Sequence, residues 1–435
     1  MRATRLSEQA RPSVRGGRLA FYLDNFEGGG VQRTVLTLAG ALAARDHPVD
    51  VLVCRPRGAL EDQVPPGVEV VALGKPAFWS ARALALKSDP GQLGAILCGL
   101  VLSPRPSPTL GWLGPLAEAL EARRPYALCS ATTQMNIEAA LARRLAAVDT
   151  RIIVSERNAL RGGHLHHGWP ARFLPALIRR TYGQADGVVA VSDGVADDLA
   201  AWSGLPGARI VTIYNPVVTD ELRRLQREPV DHPWFKPGAP PVVMSAGRLG
   251  RAKDFPTLIR AFARVRQAHP ARLVIFGKGK SETKTAKSIA VLQALAAEVG
   301  IGGDVALPGF VANPFAYMAR AATFALSSIN EGLPGVLIQA MACGCPVVST
   351  DCPSGPAEIL AGGRYGRLVP PGDDQALAEA ILATLETPPP AALLRERAGW
   401  FSVERAAAQY ERLMLGDAML ERPAAAAVPT RVAAL

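Results

Sequence analysis

TFALSSINEGLPGVLIQAMACGCPVVS, residues 323–349, contains one complete unit of the fold. Thr323 to Leu326 is a short β-rich run. A loop rich in glycine and proline follows, then apolar residues at helical spacing from Val336 to Ala342, then a second β-rich run, Pro346 to Ser349. Strand, loop, helix, strand is the repeat of a parallel sheet covered by helices. The loop also sets backbone N–H groups at a helix N-terminus, where phosphate or sugar oxygens bind well. Glu331 lies in this loop. Gln339, on the first turns of the helix, can reach back toward a ligand, and reads equally well as an ordinary surface residue.

Working outward, the same unit recurs on both sides. Toward the C-terminus, the pattern predicts helices over Asp374 to Leu385 and Val403 to Met414. Upstream it predicts strands over Val242 to Ala246 and Arg272 to Phe276, with helices over Phe255 to His269 and Lys287 to Val299. A first series occupies residues 18–215. It runs from strand Arg18 to Asp24, through Gly28-Gly29-Gly30 and an amphipathic helix, to strand Arg209 to Ile213. Ser192 is placed to cap a helix over Asp193 to Trp202. Asn215-Pro216 interrupts the pattern, and the charged, proline-rich stretch 216–241 reads as a linker. The expected class is α/β, with two doubly wound, Rossmann-like domains (18–215 and 242–400) facing a central cleft. Residues 401–420 form a C-terminal helix expected to return to the first domain. Residues 1–17 and 421–435 are expected to be disordered extensions. In such folds, ligands bind at the carboxyl ends of the strands.

The 435 residues carry a net charge of +10, which admits nucleic acid, an anionic membrane surface or a phosphorylated substrate. The arginines are dispersed and no long basic block with interleaved aromatics occurs, so nucleic acid is set aside as a partner. Six cysteines form no CxxC pair and, with the histidines, no zinc spacing; buried free thiols in a reducing compartment are expected. The start lacks a signal-peptide apolar core, and no run of about 18 apolar residues occurs. Leu93 to Leu102 is too short to span a bilayer and reads as a core helix rather than an interfacial one. The expected location is cytoplasmic, with the inner face of the membrane as a candidate surface.

Several residues invite a chemical reading. Arg248 and Lys253 follow a strand and precede a helix, with Gly247 beside them. This suits a diphosphate, although two solvated surface charges look the same locally. Phe276-Gly277-Lys278-Gly279 allows a tight turn under a ligand, but such turns more often simply join a strand to a helix. His164, His166 and His167 cluster in RGGHLHHGW. An acceptor-side loop is the favoured reading, with a sugar contact or general base as the alternative.

The stretch GFVANPFAYMARAATFALSSINEGLPGVLIQAMACGCPVVSTDCPSGPAEIL resembles the retaining glycosyltransferases of the GT-B fold, family 4. The DCPSGPAEIL string at Asp351 to Leu360 and SERN at Ser155 to Asn158 resemble its bacterial lipopolysaccharide, capsule and oligosaccharide-lipid subgroup. The resemblance implies transfer of a hexosyl or N-acetylhexosaminyl group from a nucleotide diphosphate donor, taken as UDP. The implied acceptor is a growing cell-surface glycan or a polyprenyl-linked saccharide, and the anomeric configuration is retained. It implies Arg248 and Lys253 as the diphosphate clamp and Glu331 beside the sugar, the three forming the catalytic set. The implied donor contacts are Gly29, Gly30, Gly247, Gly277, Phe310, Ser328, Gly332, Leu333, Pro334, Gly335, Val336, Leu337 and Gln339. On the acceptor side stand Glu156, Arg157, Asn158 and His164. No metal or prosthetic group is expected, since cationic side chains take the place of a divalent ion. Four positions depart from the pattern: Gln339 replaces the second acid of E-x7-E, Gln32 a glutamate, Lys278 an acidic residue, and Arg157 a histidine. A non-catalytic nucleotide-sugar-binding protein, or another GT-B activity such as a sugar-nucleotide epimerase, is the alternative. The basic residues Arg123, Arg124, Arg143, Arg144, Arg179 and Arg180, and the apolar section from Phe78 to Leu102, are candidates to meet anionic lipid.

Overall fold

The computed structural model describes residues 17–90, 109–160, 173–279 and 281–416. The readings of Leu93 to Leu102 and of His164, His166 and His167, and most of both terminal extensions, lie outside the described residues.

Among the described residues the strands form two sheets, parallel throughout. The first contains β1 (Leu19–Asn25), β2 (Val49–Arg55), β3 (Val68–Ala72), β4 (Ala127–Ala131), β5 (Arg151–Glu156), β6 (Gly187–Ala190) and β7 (Ile210–Thr212), in the order β3-β2-β1-β4-β5-β6-β7. The second contains β8 (Val242–Ala246), β9 (Arg272–Phe276), β10 (Val305–Gly309), β11 (Thr323–Leu326), β12 (Val347–Thr350) and β13 (Arg367–Val369), in the order β10-β9-β8-β11-β12-β13. The central strands are buried along their whole length, as β4, β8 and β11 show. Near-continuous apolar runs are what a sheet covered on both faces requires. In each sheet the order reverses beside the first strand, β1/β4 and β8/β11, and the loops leaving those strands gather at the switch point.

The helix Val403–Leu415 lies against the first domain. Tyr410 and Met414 are fully buried there among Leu19, Phe21 and Ile153, and Tyr410 Oη is 3.1 Å from Ser155 Oγ. The chain therefore crosses between domains twice. The two crossings are tied together where Val217 and Val218 N–H donate to Phe401 O at 2.9 and 3.0 Å.

Three stretches differ from their sequence reading. The expected linker 216–241 contains a helix, Asp220–Leu225, capped by Thr219. It is tied to the second domain by Asn313, whose Nδ2 donates to Leu225 O and Glu228 Oε2. Its charged surface hid the single buried anchor, Leu222. The helix expected from Lys287 begins earlier, at Glu282, because Ser281 accepts from Lys284 N and caps it. The hard-to-assign section after Pro76 contributes a helix, Phe78–Ser88, that leaves Trp79 94% exposed.

Candidate functional site

The loop after β11 is fixed from several directions before its side chains are considered. Ser327 Oγ donates to Lys253 O at 2.8 Å, Ile329 N–H to Ala252 O at 2.9 Å, and Thr350 Oγ1 to Ser328 O at 2.5 Å. These bonds bring the short turn Arg251–Lys253 beside the loop. Lys253 Nζ then lies 2.6 Å from Glu331 Oε1, and Ser328 Oγ lies 2.6 Å from the same oxygen. Ser328 is fully buried, while Lys253 and Glu331 retain 16% and 15% of their side-chain exposure. The pair thus faces a wet cleft rather than the interior, and Arg248 nearby is exposed.

Glycine is a steric requirement here. A Cβ on Gly277 would sit 2.0 Å from Gly247 O, and one on Gly247 would strike the Lys253 side chain at 2.8 Å. The ends of β8 and β9 are therefore packed backbone to backbone under the lysine. At their outer side Phe310 is 59% exposed, with Lys278 Nζ 4.7 Å from its ring centroid, a cation–π contact. Beyond Glu331 comes the helix Gly335–Ala342, whose first turn supplies N–H groups without intrahelical partners. Leu333 and Leu337 are buried, Val336 is half-buried, and Gln339 is half-buried on the second turn.

The opposite wall comes from the first domain. Ser192 accepts from Val195 N–H as the cap of the helix Asp193–Ser203, as its sequence position predicts, and donates to Gly332 O at 2.9 Å. A Cβ on Gly332 would lie 2.2 Å from Arg157 O, so the two walls touch at this glycine. Gly29 caps the helix Gly30–Ala43, and Gly30 is exposed. Gln32 is held by Asn25 Oδ1 at 3.1 Å.

The SERN residues separate. Asn158 is exposed. Glu156 is 2% exposed, inside the domain rather than on its surface. It accepts from Tyr182 Oη at 2.9 Å and from Thr133 Oγ1 at 3.0 and 3.1 Å. Burial pushes its carboxyl up to about 7, against the lowering effect of those hydrogen bonds. Arg157 is also buried. Its guanidinium donates to Asn215 Oδ1 at 2.5 Å, its Nη2 lies 3.5 Å from Tyr410 Oη, and its Nε–H has no hydrogen-bond partner among the described residues. It thereby ties the end of β5 to the domain crossing and to the C-terminal helix.

Four of the six arginines offered for lipid contact already have anionic partners. Arg123 pairs with Asp50 and Glu69, Arg143 with Asp186, and Arg144 and Arg180 with Asp89. Cys54, Cys129, Cys343, Cys345 and Cys352 are free and buried. Burial pushes the Cys54, Cys129, Cys343 and Cys352 thiols up to about 12. Among the described residues no cluster of three or more His, Cys, Asp or Glu is placed to hold a metal ion, and no helix is long and apolar enough to cross a membrane. A cavity of about 530 Å³, lined by Val218, Arg223, Arg227, Cys343 and Arg395 among others, includes none of Arg248, Lys253 and Glu331 in its lining. The chemistry-bearing groups lie instead in the cleft between the sheets.

This geometry can be set beside known proteins. Residues 28–221 match the family model described as Glycosyltransferase Family 4, and residues 240–387 match that described as Glycosyl transferases group 1. The two matches take in both domains and the loop around Glu331. The chain belongs to the GT-B glycosyltransferases. Among curated members it is 29% identical, over 247 residues, to the N-acetylgalactosamine-N,N'-diacetylbacillosaminyl-diphospho-undecaprenol 4-alpha-N-acetylgalactosaminyltransferase of Campylobacter jejuni. That match covers 57% of this chain and 64% of the relative. It is 30% identical, over 200 residues, to the lipopolysaccharide core biosynthesis glycosyltransferase LpsE of Rhizobium meliloti, covering 46% of this chain and 54% of the relative. The matches thus span less than two thirds of these relatives' own length. The fold agrees with that of HepE from Anabaena, solved in complex with UDP: TM-score 0.66 at 20% identity, covering 90% of this chain and 98% of that one. In this chain the two Rossmann-like units face each other, and the loop after β11 lies at their junction.

Sequence reasoning missed two contributors. Ser192 was read only as a helix cap, and nothing local shows that its hydroxyl also reaches the second domain. Ser354, whose Oγ donates to Glu331 O at 2.5 Å, lies 23 residues away along the chain.

Proposed function

We propose that this glycosyltransferase moves a hexosyl or N-acetylhexosaminyl group from UDP to a growing cell-surface glycan or polyprenyl-linked saccharide, with retention at the anomeric carbon. The observation that carries the reading is the Lys253–Glu331 pair, 2.6 Å apart at the mouth of two strand ends and facing the first domain. An ammonium beside a helix N-terminus suits a departing diphosphate, whose charge grows in the transition state. Arriving phosphate oxygens would take Lys253 over from Glu331, with the exposed Arg248 completing the clamp. The freed Glu331 carboxylate then accepts from sugar hydroxyls, still braced by Ser328. Cationic side chains supply the charge stabilisation that a divalent ion gives elsewhere. Phe310 and the turn at Gly277 provide the nucleobase end, and Gln339 the ribose end.

The curated relatives support the acceptor class: one is named for a diphospho-undecaprenol acceptor and another for lipopolysaccharide core biosynthesis. The exposed Phe78 and Trp79, with Lys75 and Lys87 exposed nearby, suit a shallow seat on the cytoplasmic face of a membrane. Incubation with UDP-sugars and a lipid-diphosphate saccharide, followed by NMR of the product, tests the reading. An α-linked product from an α-linked donor is expected. A β-linked product ends the retaining assignment, and absence of both transfer and donor hydrolysis across UDP-sugars favours a nucleotide-sugar-binding protein.

A further inference from the structure

The string Asp351–Leu360 stands out in the sequence, yet the reaction above uses none of its side chains. In the structure it is wedged between the donor loop and the first domain. Ser354 Oγ holds Glu331 O. Gly355, at φ +93°, sits where a Cβ would meet Pro334 at 2.6 Å and Gly332 O at 2.9 Å. From the short helix Pro356–Ile359, Glu358 crosses the domain boundary. Both its carboxylate oxygens lie 2.9 Å from Asp193 N, the first residue of the 11-residue helix Asp193–Ser203. Gly194 N–H and Tyr214 Oη also donate to it. Behind it Arg397 donates to the carbonyls of Glu358 and Ile359 at 2.6 and 2.9 Å, with its guanidinium over the Tyr365 and Phe401 rings. Phe401 is also the residue whose carbonyl joins the two crossings. A chain of contacts therefore runs from Glu331 through Ser354 and Glu358 to the opposing helix, and back through Arg397 to the two crossings.

We propose that Glu358 is a positioning residue for sugar transfer: by capping the helix Asp193–Ser203 of the opposing domain, it sets the separation between the donor loop and the acceptor half. The rate readout of this role rests on the glycosyltransfer reading; the distance readout does not. Among the described residues, Asp193, Tyr214 and Arg397 are the charged or titratable groups that face Glu358. Burial pushes its carboxyl from the ordinary 4.5 up to about 7, with Asp193 adding to the rise and the hydrogen bonds opposing it. When the domains part, the group returns to water and its ordinary range. Closure thus takes up a proton between pH 4.5 and 7, and the closed form gains population as pH falls through that window.

The test places a fluorophore pair at the exposed positions Glu121 and Val291, one on each domain, in the full chain with UDP. Interdomain distance is read beside kcat and KM at pH 6 and 8. Wild type should show more of the short distance at pH 6 than at pH 8. Glu358→Ala should lengthen and broaden the distance and lower kcat by about tenfold to a hundredfold, with donor KM changing less. Glu358→Gln, neutral at both pH values yet still able to accept from Asp193 N–H, should keep the short distance and lose its pH dependence. If Glu358→Ala does not fold, Glu358→Asp takes its place; its carboxylate is one methylene short of Asp193 and should also lengthen the distance. A wild-type distance distribution in the Ala or Asp variant overturns the proposal, as does a short form that grows with rising pH. If no variant transfers sugar and wild type does not either, the activity reading fails while the distances still judge Glu358.

Discussion

Two glutamates follow strands on facing sheets, and the sequence presents them alike: Glu156 ends β5 in SERN, and Glu331 follows β11 in NEGLPG. Their surroundings are opposite. Glu156 is enclosed, its oxygens taken by Thr133 and Tyr182 and its carboxyl raised to about 7 by burial. Glu331 is at the rim, part-buried and paired with Lys253, which on the proposed reading a donor phosphate would take over. On that reading, a carboxylate at a strand end serves chemistry only where its partners can be exchanged for a ligand. Glu156 instead holds the strand end firm, so that Arg157 O can meet Gly332 across the cleft.

The largest expected effect separates the two residues directly. Glu331→Ala should reduce kcat by about a hundredfold to a thousandfold, since on the proposed reading it removes the one carboxylate held beside the reacting sugar. Glu156→Gln should stay within about threefold of wild type, because its amide still accepts from Thr133 and Tyr182. Steady-state kinetics on both variants decides; equal losses would collapse the distinction.

The next effect tests the contact that joins them. A methyl group on Gly332 has no room before Arg157 O, and something must shift. Gly332→Ala should lower kcat by about tenfold to a hundredfold through misplacement of the loop, while each domain keeps its core. A wild-type rate together with wild-type melting would show that the walls do not meet during turnover.

A smaller effect concerns the ribose end. Gln339→Glu restores charge assistance to a hydroxyl contact, a class of bond worth about 1.5–3 kcal/mol. UDP affinity should rise by roughly tenfold or more in calorimetry. Unchanged affinity would place Gln339 on the helix surface, away from the nucleotide.

The smallest effect is on stability, and it belongs to the enclosed glutamate. A carboxyl raised on folding favours the folded state below the unfolded pKa, and that contribution is lost as pH rises through about 7. Glu358 behaves likewise, so the Glu156→Gln difference isolates one group. The fall in wild-type Tm from pH 5 to pH 8 should be reduced in that variant. An identical fall would mean that Glu156 does not titrate there.

Most of the architecture was legible in local pattern. Buried parallel strands need apolar runs, and covering helices need one apolar face, so β8 to β12 and the helices between them can be located in the sequence to within a few residues. Exceptions have local causes. The helix Asp220–Leu225 carries a single buried residue, and β13 spans only Arg367–Val369, too short to show a period. The grouping of Arg248, Lys253 and Glu331 was suggested by resemblance, and the hydrogen bonds from Ser327 and Ile329 show how Lys253 and Glu331 are brought together.

By itself the sequence determined the two-domain α/β plan and the anion-suited loop, because periodicity and turn chemistry are properties of neighbours along the chain; the departures at Gln339, Lys278 and Arg157 emerge only beside the pattern of the family it resembles. Only the tertiary structure decided that Glu156 is enclosed, that Ser192 and Glu358 bind across the domain boundary, and that Lys253 rests on Glu331. Each depends on contacts between residues 23 to 165 positions apart. Burial, hydrogen bonding and charge are set by what lies nearby in space, and no local pattern carries that information.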